Sequence, residues 1–243
     1  MALTDSLVSY YKLDESSGDA SDSVGSNTLT NVNTATFVTG KINNCCSLSG
    51  ASQAFDKAGN YGIAFGSSYS IGGWVRLNAE IGASTWQLFS LCHSATNADI
   101  SVITYDYNSG TRRLRNIRYN SGAVDTEPTY NITLGTTDWY HIFITYDSGT
   151  ARMDTYVNGT SVVNATSSNT AGTSGSYVQG FYLGRYGDGG ASITNSKIDE
   201  VGVWSRCLSS TEISQLYNSG LGLAYPFGAS SSPLSNLALL GVG

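Results

Sequence analysis

Residues 138–163 read DWYHIFITYDSGTARMDTYVNGTSVV, and the spacing of their apolar side chains decides the fold class. Ile142, Ile144 and Tyr146 fall on one face of an extended segment, and His141, Phe143 and Thr145 on the other, the period of two that a strand imposes. Asp147, Ser148 and Gly149 then turn the chain, and the next segment carries Met153, Thr155 and Val157 on one side. Asn158 and Gly159 follow, the strongest short hairpin signal, because both central residues of a type I′ turn need positive φ. Three antiparallel strands in about 25 residues make a meander, not a helical crossover between parallel strands.

Outward from the meander the same signals recur. Residues 7–13, 45–48, 70–77, 86–92, 99–107, 113–119, 181–185 and 197–204 read as further strands, and 14–27, rich in Asp, Ser and Gly, as a loop. A second glycine-rich loop runs through Tyr186, Gly187, Asp188, Gly189 and Gly190. One helix is predicted. Ser209 is its N-cap and Glu212 stands at N3, a capping box, with Leu208 placed to staple onto Ile213. Ile213, Leu216 and Tyr217 share a face, and Gly220 occupies the position of a C-terminal stop. The fold class is all-β, a two-sheet antiparallel sandwich with one short C-terminal helix. Residues 1–226 are expected to form the domain, and 227–243 a Ser/Gly linker and an apolar tail with Leu237, Leu239, Leu240 and Val242.

Composition agrees. Of 243 residues, 28 are glycine, 16 are tyrosine and only 12 % are charged, which suits many short strands joined by tight turns. The net charge of −6 argues against nucleic acid and against an anionic membrane surface as partner, since both are held through basic residues. No apolar run has the length of a membrane span, and the opening residues lack the basic and apolar regions of a signal peptide. Cys45, Cys46, Cys92 and Cys207 have no zinc spacing and read as free thiols made in a reducing compartment. The sequons at Asn131, Asn158 and Asn164 read as loop asparagines.

Five fragments in order resemble the laminin G-like, concanavalin A-like jelly-roll domains: residues 7–25, the Ile71-Gly72-Gly73-Trp74-Val75 run, Trp139 to Asp147, Val157 to Gly159, and the ending from Ile198-Asp199-Glu200-Val201 through Trp204, Arg206 and Leu208 to Gly220. The resemblance implies two face-to-face antiparallel sheets, one concave, with the first and last strands adjacent. It implies glycan binding, adhesion or a place on an enzyme or a viral particle. Catalytic relatives carry a Glu-x-Asp-x-x-Glu strand whose two carboxyl groups flank the scissile bond. None of Glu15, Glu80, Glu127, Glu200 and Glu212 has those neighbours, and His93 and His141 lie in no nucleophile motif, so the chain is expected not to be an enzyme.

The resemblance also implies a structural Ca²⁺ where the first loop meets the last strand, with Asp22, Asn27 and Asp199 as the expected oxygen ligands. For a glycan, whose C–H faces stack on rings, the candidates are Trp86, Tyr105, Tyr107, Tyr119 and Tyr186, with Asp188, Asn108 and Asn120 as polar neighbours. Arg112, Arg113, Arg115 and Arg118 form a solvated strand face, or a contact with an acidic neighbour or an anionic glycan. Two readings follow. One is a virion surface subunit, decorating a capsid or tail, assembled in the host cytoplasm with other protein subunits and touching cell-surface glycan. The other is a carbohydrate-binding or adhesion domain of a bacterial surface or secreted protein.

Overall fold

The predicted meander is present in a computed structural model that describes residues 1–49, 52–64, 66–92, 100–120, 123–167, 180–186 and 194–228. Its strands are β12 (Tyr140–Asp147), β13 (Arg152–Val157) and β14 (Thr160–Thr166). Asn158 and Gly159 take φ of 50° and 77°, as the type I′ turn requires. Beside β12 lies β6 (Tyr69–Leu77), then β16 (Ser196–Trp204), β4 (Asn44–Leu48) and β3 (Thr36–Thr39), and β1 (Leu7–Tyr11) joins the edge of β16. First and last strands are therefore neighbours, with Tyr10 opposite Gly202 and Tyr11 opposite Val201.

The second sheet has the order β10 (Ala123–Thr126), β9 (Thr111–Asn120), β8 (Ile100–Asn108), β7 (Thr85–Cys92), β15 (Gly180–Leu183), β5 (Ala54–Ala58) and β2 (Thr30–Val32). The short β11 (Thr129–Asn131) also pairs with β9. Every pairing is antiparallel among the described residues. The core lies between the sheets. Ile71, Val75, Ile142, Ile144, Tyr146, Val201 and Val203 face Phe55, Leu88, Phe89, Ile103, Tyr105, Leu114, Phe181 and Leu183.

The helix α1 (Ser210–Tyr217) has the predicted capping box: the Glu212 amide donates to Ser209 Oγ (3.3 Å) and the Ser209 amide to Glu212 Oε2 (2.8 Å). Leu208 and Ile213 share one apolar cluster. The stop comes earlier than Gly220, because Asn218 already adopts the left-handed conformation (φ 48°). Phe227, expected to open the linker, instead packs against Tyr10, Trp204 and Tyr225. Residues 229–243 of the predicted linker and tail (227–243) lie outside the described residues, as do His93 and Asp188.

Candidate functional site

The sandwich has two outer faces, and they differ. On the first sheet, the outward residues Tyr10, Trp74, His141, Phe143 and Trp204 are aromatic and buried. Phe143 and Trp204 approach to 5.7 Å between centroids, and they can lie flat because Gly72 and Gly202 leave no Cβ beneath them. Leu208, Ile213 and Leu216 of the helix segment close this layer from above. His141 stands among Trp74, Phe143 and Tyr217, and burial pushes its pKa down to about 3, so it is neutral at pH 7. Its role is packing, as the alternation of β12 suggested.

Two carboxylates interrupt this layer. β16 pairs with β4 over residues 196–198 and with β1 over 201–204, and a bulge at Asp199–Glu200 fills the step between those partners. Glu200 has φ 50° there. Asp199 Oδ2 accepts the amides of Lys41 (2.7 Å) and Ile42 (3.0 Å), and its Oδ1 has no hydrogen-bond partner. Both Glu200 oxygens also lack a hydrogen bond. They face a small cavity lined by Tyr10, Trp74, His141, Phe143, Trp204, Leu216 and Leu223, while the Tyr10 hydroxyl donates to the Leu223 carbonyl (3.3 Å). Burial raises Asp199 to about 8, helped by the charges of Glu200 and Asp14. Burial also raises Glu200 to about 7, against the nearby Tyr10 hydroxyl.

The expected calcium ligands do not form one set. Asp22 Oδ1 accepts the amides of Tyr10 (3.1 Å) and Val24 (3.0 Å), and Oδ2 that of Asn27 (3.1 Å). The Asn27 side chain donates its Nδ2 to Ser9 Oγ (3.0 Å), and the Asn27 carbonyl accepts from the Tyr11 hydroxyl (2.7 Å). Asp22 reaches the Tyr10 amide from the side of β1 away from β16, and Asp199 stands on β16, so β1 separates them. Among the described residues, no group of three or more His, Cys, Asp or Glu side chains could hold a metal ion. As assembled, Asp22, Asn27 and Asp199 do not fit Ca²⁺.

The outer face of the second sheet is built differently. Cross-strand pairing sets Ile117, Val102, Ser90, Tyr182 and Asp56 in one row, Arg115, Thr104 and Gln87 in the next, and Arg113, Asp106 and Thr85 in a third. Cys92, Val102, Ile117 and Tyr182 make an apolar floor, and Tyr119 and Tyr186 pack on it, both half-buried. Burial and the neighbouring Tyr186 hydroxyl push Tyr119 up to about 12. Beside Tyr119 runs an ion-pair ladder. Arg113 Nε and Nη2 hold Asp106 at 2.7 and 3.2 Å, and Arg115 bridges Asp106 (Nη1, 3.2 Å) and Glu127 (Nε, 2.6 Å). At the other end of the first row, Arg185 pairs with Asp56 and lies over the Tyr182 ring.

Of the predicted glycan contacts, Tyr119 and Tyr186 come together on this face. Trp86 and Tyr105 do not. Trp86 is 5 % exposed and Tyr105 fully buried, both in the core between the sheets. A register shift in β7 between Gln87 and Phe89 changes which residues point inward. Tyr107 packs against the core at the rim, under the Arg112 guanidinium. Tyr182, Asp106 and Glu127 were missed by the sequence reading, although the Arg113–Asp106 pair is legible once β8 and β9 are recognised as a hairpin.

The profile described as the concanavalin A-like lectin/glucanases superfamily, the third laminin G profile, matches residues 49–214. No curated protein matches the sequence. Trypanosoma rangeli sialidase superposes with a TM-score of 0.65 at 18 % identity, over 90 % of this chain and 34 % of its own. The chain thus spans about a third of that enzyme's length. Domain 4 of AbnA, a GH43 extracellular arabinanase from Geobacillus stearothermophilus solved with arabinotriose, gives 0.61 at 18 % identity, over 89 % of this chain and 98 % of its own. Botulinum neurotoxin type C, whose cell entry depends on two ganglioside molecules, gives 0.63 at 15 % identity, over 88 % and 51 %. The chain belongs to the concanavalin A-like lectin/glucanase superfamily.

Proposed function

We propose that the protein is a non-enzymatic glycan-binding module whose ligand lies on the outer face of the second sheet. The observation that carries this is the meeting of Tyr119 and Tyr186 over the Ile117–Val102–Tyr182 floor, beside the Asp106–Arg113–Arg115–Glu127 ladder. Aromatic faces next to fixed polar groups are what a pyranose or furanose needs. The single-domain neighbour solved with arabinotriose supports the reading. Catalysis is disfavoured by the acids themselves: Asp106 and Glu127 are tied to arginine, Glu212 to the helix cap and Arg206, and Glu200 is sealed under the helix. A glycan array tests it. Binding that Tyr119→Ala weakens about tenfold, the scale of one lost aromatic contact, supports the site. Unchanged binding by that variant moves the ligand elsewhere.

A second reading, a subunit of a virion surface made in host cytoplasm, is favoured by the thiols. Among the described residues, Cys45 and Cys46 are buried thiols outside any disulfide and Cys207 is a half-buried one, a state that suits a reducing compartment. Light scattering after size exclusion decides: a stable oligomer supports this role, and a monomer at all concentrations counts against it.

A further inference from the structure

The four clustered arginines raised the prospect of an anionic glycan, yet each has an acid of its own. Arg112 pairs with Glu80 (3.0 Å), Arg113 with Asp106, Arg115 with Asp106 and Glu127, and Arg118 with Asp125 (3.1 Å). In the ladder, the guanidiniums of Arg113 and Arg115 meet the carboxylates of Asp106 and Glu127, so it carries no net charge. We infer that this face selects an uncharged glycan presenting neighbouring hydroxyls, and discriminates against sialylated and uronic ones; the inference rests on the glycan reading above.

Donors and acceptors on this face set the preference. Arg113 uses Nε and Nη2 in its pair, and Arg115 uses Nε and Nη1. Among the described residues Arg113 Nη1 and Arg115 Nη2 make no hydrogen bond, and neither does Glu127 Oε2. Spare N–H donors therefore alternate with a spare carboxylate oxygen. A sugar hydroxyl donates and accepts at once and satisfies both. A sugar carboxylate only accepts, and it would meet Glu127 as a like charge. To bind Arg115 it must displace Glu127 or Asp106. Asp106 is 5 % exposed, and a carboxylate so placed is costly to leave unpaired. The ladder also fixes the guanidinium planes before the ligand arrives, which favours a flat, bidentate contact with a hydroxyl pair.

The test is an array of neutral oligosaccharides, each beside its sialylated or uronic counterpart, read with the wild-type protein and with Glu127→Gln. The wild type is expected to prefer the neutral member of each pair by at least tenfold. Glu127→Gln, which releases Arg115 from its closest partner, is expected to shrink that ratio by strengthening binding of the charged member. Equal or stronger binding of charged glycans by the wild type overturns the inference and leaves the glycan reading standing. Silence across the whole array from folded protein overturns both.

Discussion

The two outer faces of the sandwich show how one architecture treats polar groups in opposite ways. Under α1, the first sheet buries Glu200 with neither oxygen hydrogen-bonded and His141 with a bare Nδ1, inside an aromatic layer. On the second sheet, Asp106 is as buried as Glu200, yet three arginine nitrogens reach it. A buried charge that has partners rigidifies a surface, whereas one that lacks them makes stability depend on protonation. The first face is thus a seal with a titratable flaw. The second is a prearranged polar surface that needs no cover.

The largest effect that would break this contrast is at Trp204, fully buried between Phe143, Phe227 and the helix. Trp204→Ala is expected to cost about 3–5 kcal/mol, read by denaturant unfolding, while Trp204→Phe retains the fold. A small loss would mean that the helix is not what holds this face.

Next comes the pH response of the acid pair. Glu200 is raised in the fold from 4.5 to about 7, so the stability it contributes is full below about pH 4.5 and is gone above about pH 7. Asp199 follows from 3.8 to about 8. His141 runs the other way: it is neutral in the fold, and stability falls as pH drops from 6.5 toward about 3. Between pH 5 and 8 two acids oppose one histidine, so the melting temperature is expected to fall with rising pH. Glu200→Gln should remove a large part of that slope, a difference of about 3 kcal/mol at about 1.4 kcal/mol per pH unit. A wild-type melting temperature that rises from pH 5 to 8 would contradict the assignment.

The smallest expected effect is at the helix start. Ser209→Ala removes the acceptor for the Glu212 amide and should cost about 1 kcal/mol. It should leave the proposed glycan binding on the opposite face unchanged, because the two faces share no residue.

Legibility in the sequence followed local determinants. The meander, its Asn158–Gly159 turn and the Ser209–Glu212 box were readable because strand alternation, positive φ and capping each depend on a few adjacent residues. The strands β2, β3, β5, β10 and β11 were not readable, since three to five residues carry too little alternation. The assignment of Trp86 to the ligand face failed for a different reason. β7 is buried on both sides and bulged, so period two cannot say which side is inward. Tyr119 and Tyr186 could be named as candidates, but their meeting depends on tertiary placement.

The position of β16 has a consequence for how the chain comes to be folded. It is the last strand among the described residues, yet it lies inside its sheet, with β6 on one flank and β4 and β1 on the other. During synthesis, everything through β14 can pair before residues 196–204 exist. Until then β6 and β4 stand with open edges, and β1 has no partner strand. Closing the gap joins residue 7 to residue 204, the kind of distant pairing that folds slowly. Chains truncated before residue 196 should therefore aggregate through those edges.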